Sequence, residues 1–185
     1  MGYCGGSISE PTYHHLANHA ETLQVDFDPA AIGYEEILAL FFASHQPTRP
    51  SWSSQYRSAI FCDGGRQLEQ ARQAAAELSG RLGHQVQTEI APLDRFWWAE
   101  GYHQKYLLRQ SRPLARELAA AYPRPEDFVQ SPVAARVNGF LGGNGSLEQL
   151  ERELPRYGLS PAAGEELRAL AKRRGVSPAT CPLAR

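Results

Sequence analysis

Cysteine is scarce in this chain: Cys4, Cys62 and Cys181 are all that its 185 residues hold. They are too few and too scattered for a disulfide framework, and their odd number leaves at least one thiol unpaired within the chain. The chemistry they point to is therefore catalytic or redox rather than structural. Charge of one sign is missing as well. Nineteen basic against twenty acidic side chains leave a formal net charge of −1, which gives no electrostatic argument for nucleic acid or an anionic membrane as partner. No run approaches the roughly 18 consecutive apolar residues of a membrane span. The first six residues, MGYCGG, have neither the basic n-region nor the apolar h-region of a secretory signal. The expected compartment is the reducing cytoplasm. What is present, 42% hydrophobic and 21% charged residues, is the composition of a globular chain. Its length suits one domain, or one domain with an appendage.

Alternation of Leu23, Val25 and Phe27 with Gln24 and Asp26 predicts a half-buried strand ended by Asp28-Pro29. The period then changes, and Tyr34, Ile37, Leu38, Phe41 and Phe42 form the apolar face of a helix ending near His45. A short strand is predicted from Arg57 to Cys62, stopped by Asp63-Gly64-Gly65. Leu68, Ala71, Ala75, Leu78 and Leu82 predict a second helix closed by Gly83 as C-cap. Val86, Thr88 and Ile90 predict a third strand, and a last helix is expected from about Ala99 to Gln110. The order is βαβαβ, which points to an α/β or α+β sandwich. Composition shifts near Tyr122-Pro123-Arg124-Pro125. Beyond it, Ser131-Pro132 and Ser160-Pro161 pair an N-cap serine with an N1 proline, and Ser146-x-x-Gln149 is a capping box. A small helical appendage is expected, with Gly142 to Gly145 as a flexible joint.

Three clusters carry polar or aromatic chemistry. The first runs from Glu10 to Glu21 with His14, His15 and His19. It is read either as a metal site or as a loop that delivers one or two groups to a pocket, and the second reading is the stronger. Adjacent histidines diverge, and neither an H-E-x-x-H helix nor a CxxC pair occurs. The second is Ser54 to Ile60, where Tyr56 leads into a buried strand and by itself reads as a sheet-edge tyrosine. The third, Phe96 to Tyr106, has too many aromatic residues for a surface helix and by itself reads as core.

Together these clusters resemble a known family. GYCGG at 2–6, EPTY at 10–13, HAE at 19–21, YEEIL-x-x-FF-x-SH-x-P at 34–47, QYRSAIF at 55–61, TEI at 88–90 and FWWAEGYHQKYL at 96–107 stand in the order found in peptide methionine sulfoxide reductase A. The similarity covers about residues 2–110, and the tail motifs AARVNGF and GGNG resemble the C-terminal extension of a divergent branch.

The resemblance implies an α+β fold: a ferredoxin-like α/β sandwich core over 1–125, missing its first strand and helix, and a helical C-terminal extension over 126–185. It implies reduction of the S epimer of methionine sulfoxide, free or in oxidised proteins. No cofactor is bound, and thioredoxin or another thiol is the reductant. In such chemistry a cysteine thiolate attacks the sulfoxide sulfur and ends as a sulfenic acid that a second thiol resolves. The leaving oxygen needs a proton from a carboxylic acid kept neutral by burial, with hydroxyl donors beside it. By motif match Glu21 is that acid and Tyr13 and Tyr56 are the hydroxyls. Trp97, Trp98 and His103 are expected around the substrate's S-methyl group. The family's nucleophile lies in a GCFWG motif upstream of GYxGG, and no such motif occurs in this chain. The chain is therefore expected to be a fragment, or a gene model begun too late. Cys4, in the variable position of GYxGG, is a weak substitute. Cys181 is the better candidate for a resolving thiol, and Cys62 reads as core. The rival reading is a catalytically inactive module that binds methionine sulfoxide or a partner. An uncovered sheet edge is expected to make the polypeptide aggregation-prone.

Overall fold

The computed structural model describes residues 1–176; Cys181 lies outside them. Contacts divide the chain into two compact units, Met1–Glu100 and a second that starts at Gly101. That division falls ahead of the boundary expected at 125, because the helices on both sides of Tyr122 share one core.

The first unit is α+β. Strand β1 (Gly2–Cys4) is central in a small antiparallel sheet, flanked by β2 (Ala20–Thr22) and β5 (Trp97–Trp98). Its register sets Tyr3 opposite both Glu21 and Trp97, and Gly2 opposite both Thr22 and Trp98. Glycine is required at Gly2, where a Cβ would collide with the Phe96 ring and the Trp97 carbonyl. A separate parallel pair, β3 (Ala59–Cys62) and β4 (Glu89–Pro92), is joined by the crossover helix α2 (Gly65–Leu82). Helix α1 (Tyr34–Ala43) starts where the Gly33 N–H donates to the Glu36 carboxylate at 2.8 Å. It buries Leu38 and Phe42 against Cys62, Ala71 and Val86, each large side chain stabilising the unit by about 2 kcal/mol. Helix α2 stops at Gly83, whose φ of 66° is the left-handed C-cap that glycine adopts without strain.

Two expectations are corrected in this unit. Residues 23–27 alternate like a strand but form no ladder, and Leu23 and Val25 stand 65% and 53% exposed, because no strand among the described residues lies beside them. The helix expected from Ala99 begins only at α3 (Tyr106–Gln110). Ala99 is held in the sheet by its N–H donating to the Met1 carbonyl, and residues 101–105 are turn. The expected third strand appears as β4, three residues late.

The second unit is helical: α3, α4 (Arg112–Ala120), α5 (Pro125–Gln130), α6 (Pro132–Leu141), α7 (Leu147–Glu153) and α8 (Pro161–Arg173). Leu108, Leu114, Phe128, Val137, Phe140, Leu150 and Leu167 form one buried cluster. The serine caps occur as expected. The Ser131, Ser146 and Ser160 hydroxyls accept from the backbone N–H groups of Ala134, Gln149 and Ala163, and Gln149 returns a carboxamide acceptor to the Ser146 N–H at 2.8 Å. The 142–145 joint is a bonded turn instead of a loose one. Gly142 N–H donates to Asn138 and Gly139, Asn144 N–H donates to Gly139, and Gly143 and Gly145 both sit at φ 82°. No helix among the described residues is long and apolar enough to cross a membrane.

Ser131 is buried and its hydroxyl also meets the Tyr122 hydroxyl at 2.5 Å. Ser131→Ala is expected to destabilise the helical unit by about 1–2 kcal/mol, read as a lower urea midpoint by far-ultraviolet circular dichroism. An unchanged midpoint would remove the cap from the account of this unit.

Candidate active site

The site is assembled where the two small sheets touch. Glu21, in β2, donates its backbone N–H to the Gln55 carbonyl at 2.9 Å, and the Gln55 carboxamide returns a hydrogen bond to the Glu21 carboxylate at 2.6 Å. The same carboxamide nitrogen lies 3.1 Å from the Tyr56 hydroxyl. One residue therefore holds both the acid and a hydroxyl. The neighbouring Arg57 fixes the loops around them. Its guanidinium donates to the carbonyls of Asn18 and Ser54 at 2.8 Å and of Gly5 at 3.1 Å, and pairs with Glu89 at 2.7 Å.

Tyr13 arrives from a different direction. Thr12 and His15 close its turn by reciprocal backbone hydrogen bonds. The Glu100 carboxylate then takes the Tyr13 N–H at 3.0 Å on one oxygen and the Tyr3 hydroxyl at 2.7 Å on the other. Tyr3 is 1% exposed, so Glu100 anchors the turn to the interior of the sheet. The Tyr56 hydroxyl is within hydrogen-bonding reach of Tyr13. That bond, partial desolvation and the Glu21 charge push the Tyr56 phenol above the usual tyrosine range. Glu21, Tyr13 and Tyr56 are thus one cluster, although 43 positions separate the outer two in sequence. Trp52 stands at its mouth, 84% exposed, with its ring centroid 5.3 Å from that of Tyr56.

Comparisons with known proteins address the same residues. A family model described as peptide methionine sulfoxide reductase matches residues 1–136. This chain belongs to that family. A peptide methionine sulfoxide reductase of Drosophila melanogaster is 37% identical over 164 residues, covering 87% of this chain and 65% of that one. One from Haloquadratum walsbyi is 40% identical over 114 residues, covering 57% and 66%. The chain thus spans just under two thirds of the length of these two relatives. The structure of methionine sulfoxide reductase A of Corynebacterium diphtheriae superposes with a TM-score of 0.53 at 30% identity, covering 60% of this chain and 62% of that one.

The remaining candidates separate by sheet face. Residues directly opposite one another share a face and neighbours along a strand alternate, so Glu21, Tyr3 and Trp97 form one row. Gly2, Cys4, Thr22 and Trp98 belong to the other face. Trp97 packs with Tyr3 and carries the Arg95 guanidinium 4.1 Å above its ring. Trp98, 52% exposed and edge-on to Phe96, faces away from Glu21. Cys4 is fully buried on that far face, and burial raises its thiol pKa against the smaller opposing effects of Thr22 and Arg57. A buried, protonated thiol pointing away from the acid has neither the access nor the charge of a nucleophile. Cys62 is in the helix-covered core, 3.7 Å from the Tyr34 hydroxyl. His103 belongs to the second unit and lies against Tyr102, with ring centroids 4.3 Å apart.

The histidines do not gather. The buried His19 ring accepts from the Gly6 N–H at Nδ1 and donates from Nε2 to the Ile8 carbonyl, so it pins the GYCGG loop. His14 and His15 are exposed, and no group of three potential ligands converges among the described residues. Sequence reasoning missed Gln55, Glu100 and Tyr3 as supports. Gln55 stood inside a matched motif and was legible there; the Tyr3–Glu100 bond spans 97 positions and left no local signal.

The phenol titration tests the cluster. Tyr13→Phe removes the leading cause of the Tyr56 shift, so the Tyr56 pKa is expected to fall toward the ordinary tyrosine value, followed by ring-carbon NMR of labelled tyrosine against pH. An unchanged Tyr56 titration would mean that the two hydroxyls do not interact.

Proposed function

We propose that this chain supplies the acid and hydroxyl groups of a methionine-(S)-sulfoxide reductase site, acting on free or protein-bound methionine sulfoxide. The observation that carries this reading is the convergence of Glu21, Tyr13 and Tyr56 on one half-exposed spot, together with membership of the family.

Each group has a definite task. The two phenol hydroxyls donate to the sulfoxide oxygen, which gains negative charge as the sulfur is attacked, and donors placed in advance stabilise that charge. Glu21 delivers the proton, held in place by the Gln55 carboxamide. Trp52 and Trp97 offer aromatic surface for the S-methyl group, a soft contact that sulfur favours. The reaction balances within two sulfurs. A thiolate attacks the sulfoxide sulfur, the oxygen ends on the attacking sulfur as a sulfenic acid, and the thioether leaves reduced by two electrons. A second thiol then condenses with the sulfenic acid, releasing water and forming a disulfide that thioredoxin or another dithiol reduces. Such a reductant suits the reducing cytoplasm.

The attacking thiol is supplied from outside the described residues, since Cys4 faces away from Glu21 and Cys62 is core. The same placement favours the second reading, a module that binds methionine sulfoxide without reducing it.

The deciding assay follows reduction of a methyl aryl sulfoxide with dithiothreitol, by this chain and by one lengthened at its N-terminus with a GCFWG segment. Activity confined to the longer form is expected, with Glu21→Gln lowering its kcat by about 10²–10⁴ and Tyr13→Phe and Tyr56→Phe each lowering it less. Inactivity of both forms, with sulfoxide binding retained, would establish the binding module instead. Turnover by the present chain that Cys4→Ser abolishes would overturn the placement of the nucleophile.

A further inference from the structure

His45 stands just past the end of α1. Its ring lies edge-on to that of Phe41, with centroids 4.8 Å apart, and its Nδ1 is 2.9 Å from the Phe41 carbonyl. The Ser44 hydroxyl, 3.3 Å from the same nitrogen, gives its own proton to that carbonyl at 2.7 Å. Both neighbours of Nδ1 are therefore acceptors, so Nδ1 carries the ring proton and Nε2 of the neutral ring is left to accept.

What Nε2 meets is the Ser58 hydroxyl, at 2.8 Å. Ser58 in turn lies 2.8 Å from the Thr88 hydroxyl. With its proton committed to the imidazole, Ser58 offers only lone pairs, so Thr88 donates to it. The result is a chain of a single polarity, from Thr88 through Ser58 and His45 to the Phe41 carbonyl, in which each bond strengthens the next. It joins α1 to the segments that open β3 and β4. The register pairs Ala59 with Glu89, and Ser58 and Thr88 are the residues one step before that pair. The backbone is stitched at the same place, by the Glu89 N–H on the Ser58 carbonyl at 2.9 Å and the Gln87 N–H on the Pro47 carbonyl at 2.7 Å.

A histidine that only capped α1 would need the Nδ1 bond and leave Nε2 to water. Here Nε2 is spent on the residue that closes the segment of the site. Tyr56 and Arg57 lie between two anchors, Gln55 with its bonds to Glu21 and Ser58 with its bonds to His45, Thr88 and Glu89. The Tyr56 side chain is 47% exposed, so little packing holds it and the direction of the phenol follows from the backbone beneath it.

We infer that His45 is a positioning residue for the Tyr56 hydroxyl, and that it acts by holding Ser58, and with it the start of β3, through Nε2. A donor fixed before the substrate arrives stabilises developing charge without reorganisation, and a misplacement of about 1 Å can cost 10²-fold in rate. His45 has this role in catalysis only if Tyr56 serves the reduction site as proposed above. The placement itself is measured without turnover, so the two fail separately.

The full chain with nitrogen-15 histidine is followed by NMR at about pH 8, above the ordinary histidine range, with the His45 signals assigned by their loss in His45→Phe. His45 is expected as the Nδ1–H tautomer; the Nε2–H tautomer would overturn the inference. Ring-carbon NMR of labelled tyrosine then follows Tyr56 against pH. Ser58→Ala and His45→Phe both break the chain, and each is expected to let the Tyr56 pKa fall toward the ordinary tyrosine value, as Tyr56 loses its alignment with Tyr13. Ser58→Thr keeps the hydroxyl and is expected to retain the parent titration. A Tyr56 titration unchanged in both Ser58→Ala and His45→Phe, or shifted as far in Ser58→Thr as in Ser58→Ala, would overturn the inference. The tautomer is read on the parent chain, so the test survives a variant that fails to fold.

Discussion

The Arg57 guanidinium is the joint on which the first unit depends. It reaches four segments at once: the carbonyls of Gly5, Asn18 and Ser54, and the carboxylate of Glu89 on β4. Its side chain is 17% exposed against 45% for Glu89, and each of its bonds is charge-assisted. A planar fork with five donors makes this possible; a lysine ammonium in its place has no fixed fork to span the same acceptors. Through Arg57 the β1 loop, the entry to β2 and the loop before β3 are held together, and with them Glu21 and Tyr56. Among the described residues the two sheets share no ladder of their own.

The second constraint is the register of β1. A strand of three residues has little energy to give, yet its pairing decides which side chains meet. With Tyr3 opposite Glu21 and Trp97, the acid shares a face with a buried phenol and one tryptophan, and Cys4 is committed to the other face. A slip by one residue would exchange the faces. Gly2 guards against it, since no other residue fits beneath Phe96, and the Tyr3–Glu100–Tyr13 relay locks the register to the loop that carries the second hydroxyl.

What could be read from the sequence follows from the range of each interaction. The caps at Ser131, Ser146 and Ser160 and the stop at Gly83 act within four residues and were legible with their mechanism. So were α1 and α2, whose apolar periods are long. Glu21, Tyr13 and Tyr56 were legible only through the motifs that carry them, since nothing local says that residues 13, 21 and 56 converge. Residues 23–27 show the opposite case: the alternation is that of a strand, but a ladder needs a neighbour, and none pairs with them among the described residues. Trp98, Tyr102 and Tyr106 stand at helical spacing, yet Ala99 is claimed by Met1 and Lys105 sits in the left-handed region at φ 51°. The division at Glu100 was hidden because composition shifts at Tyr122, inside a core that Leu114, Leu118 and Phe128 build across it.

The central claim is that the acid and hydroxyls are assembled here while neither described thiol shares their site. The most direct measurement mixes the reduced chain with methionine-(S)-sulfoxide, without added reductant, in the presence of dimedone, and maps labelled sulfenic acids by mass spectrometry. No adduct is expected on Cys4 or Cys62. A stoichiometric adduct on Cys4 that disappears in Glu21→Gln would contradict it.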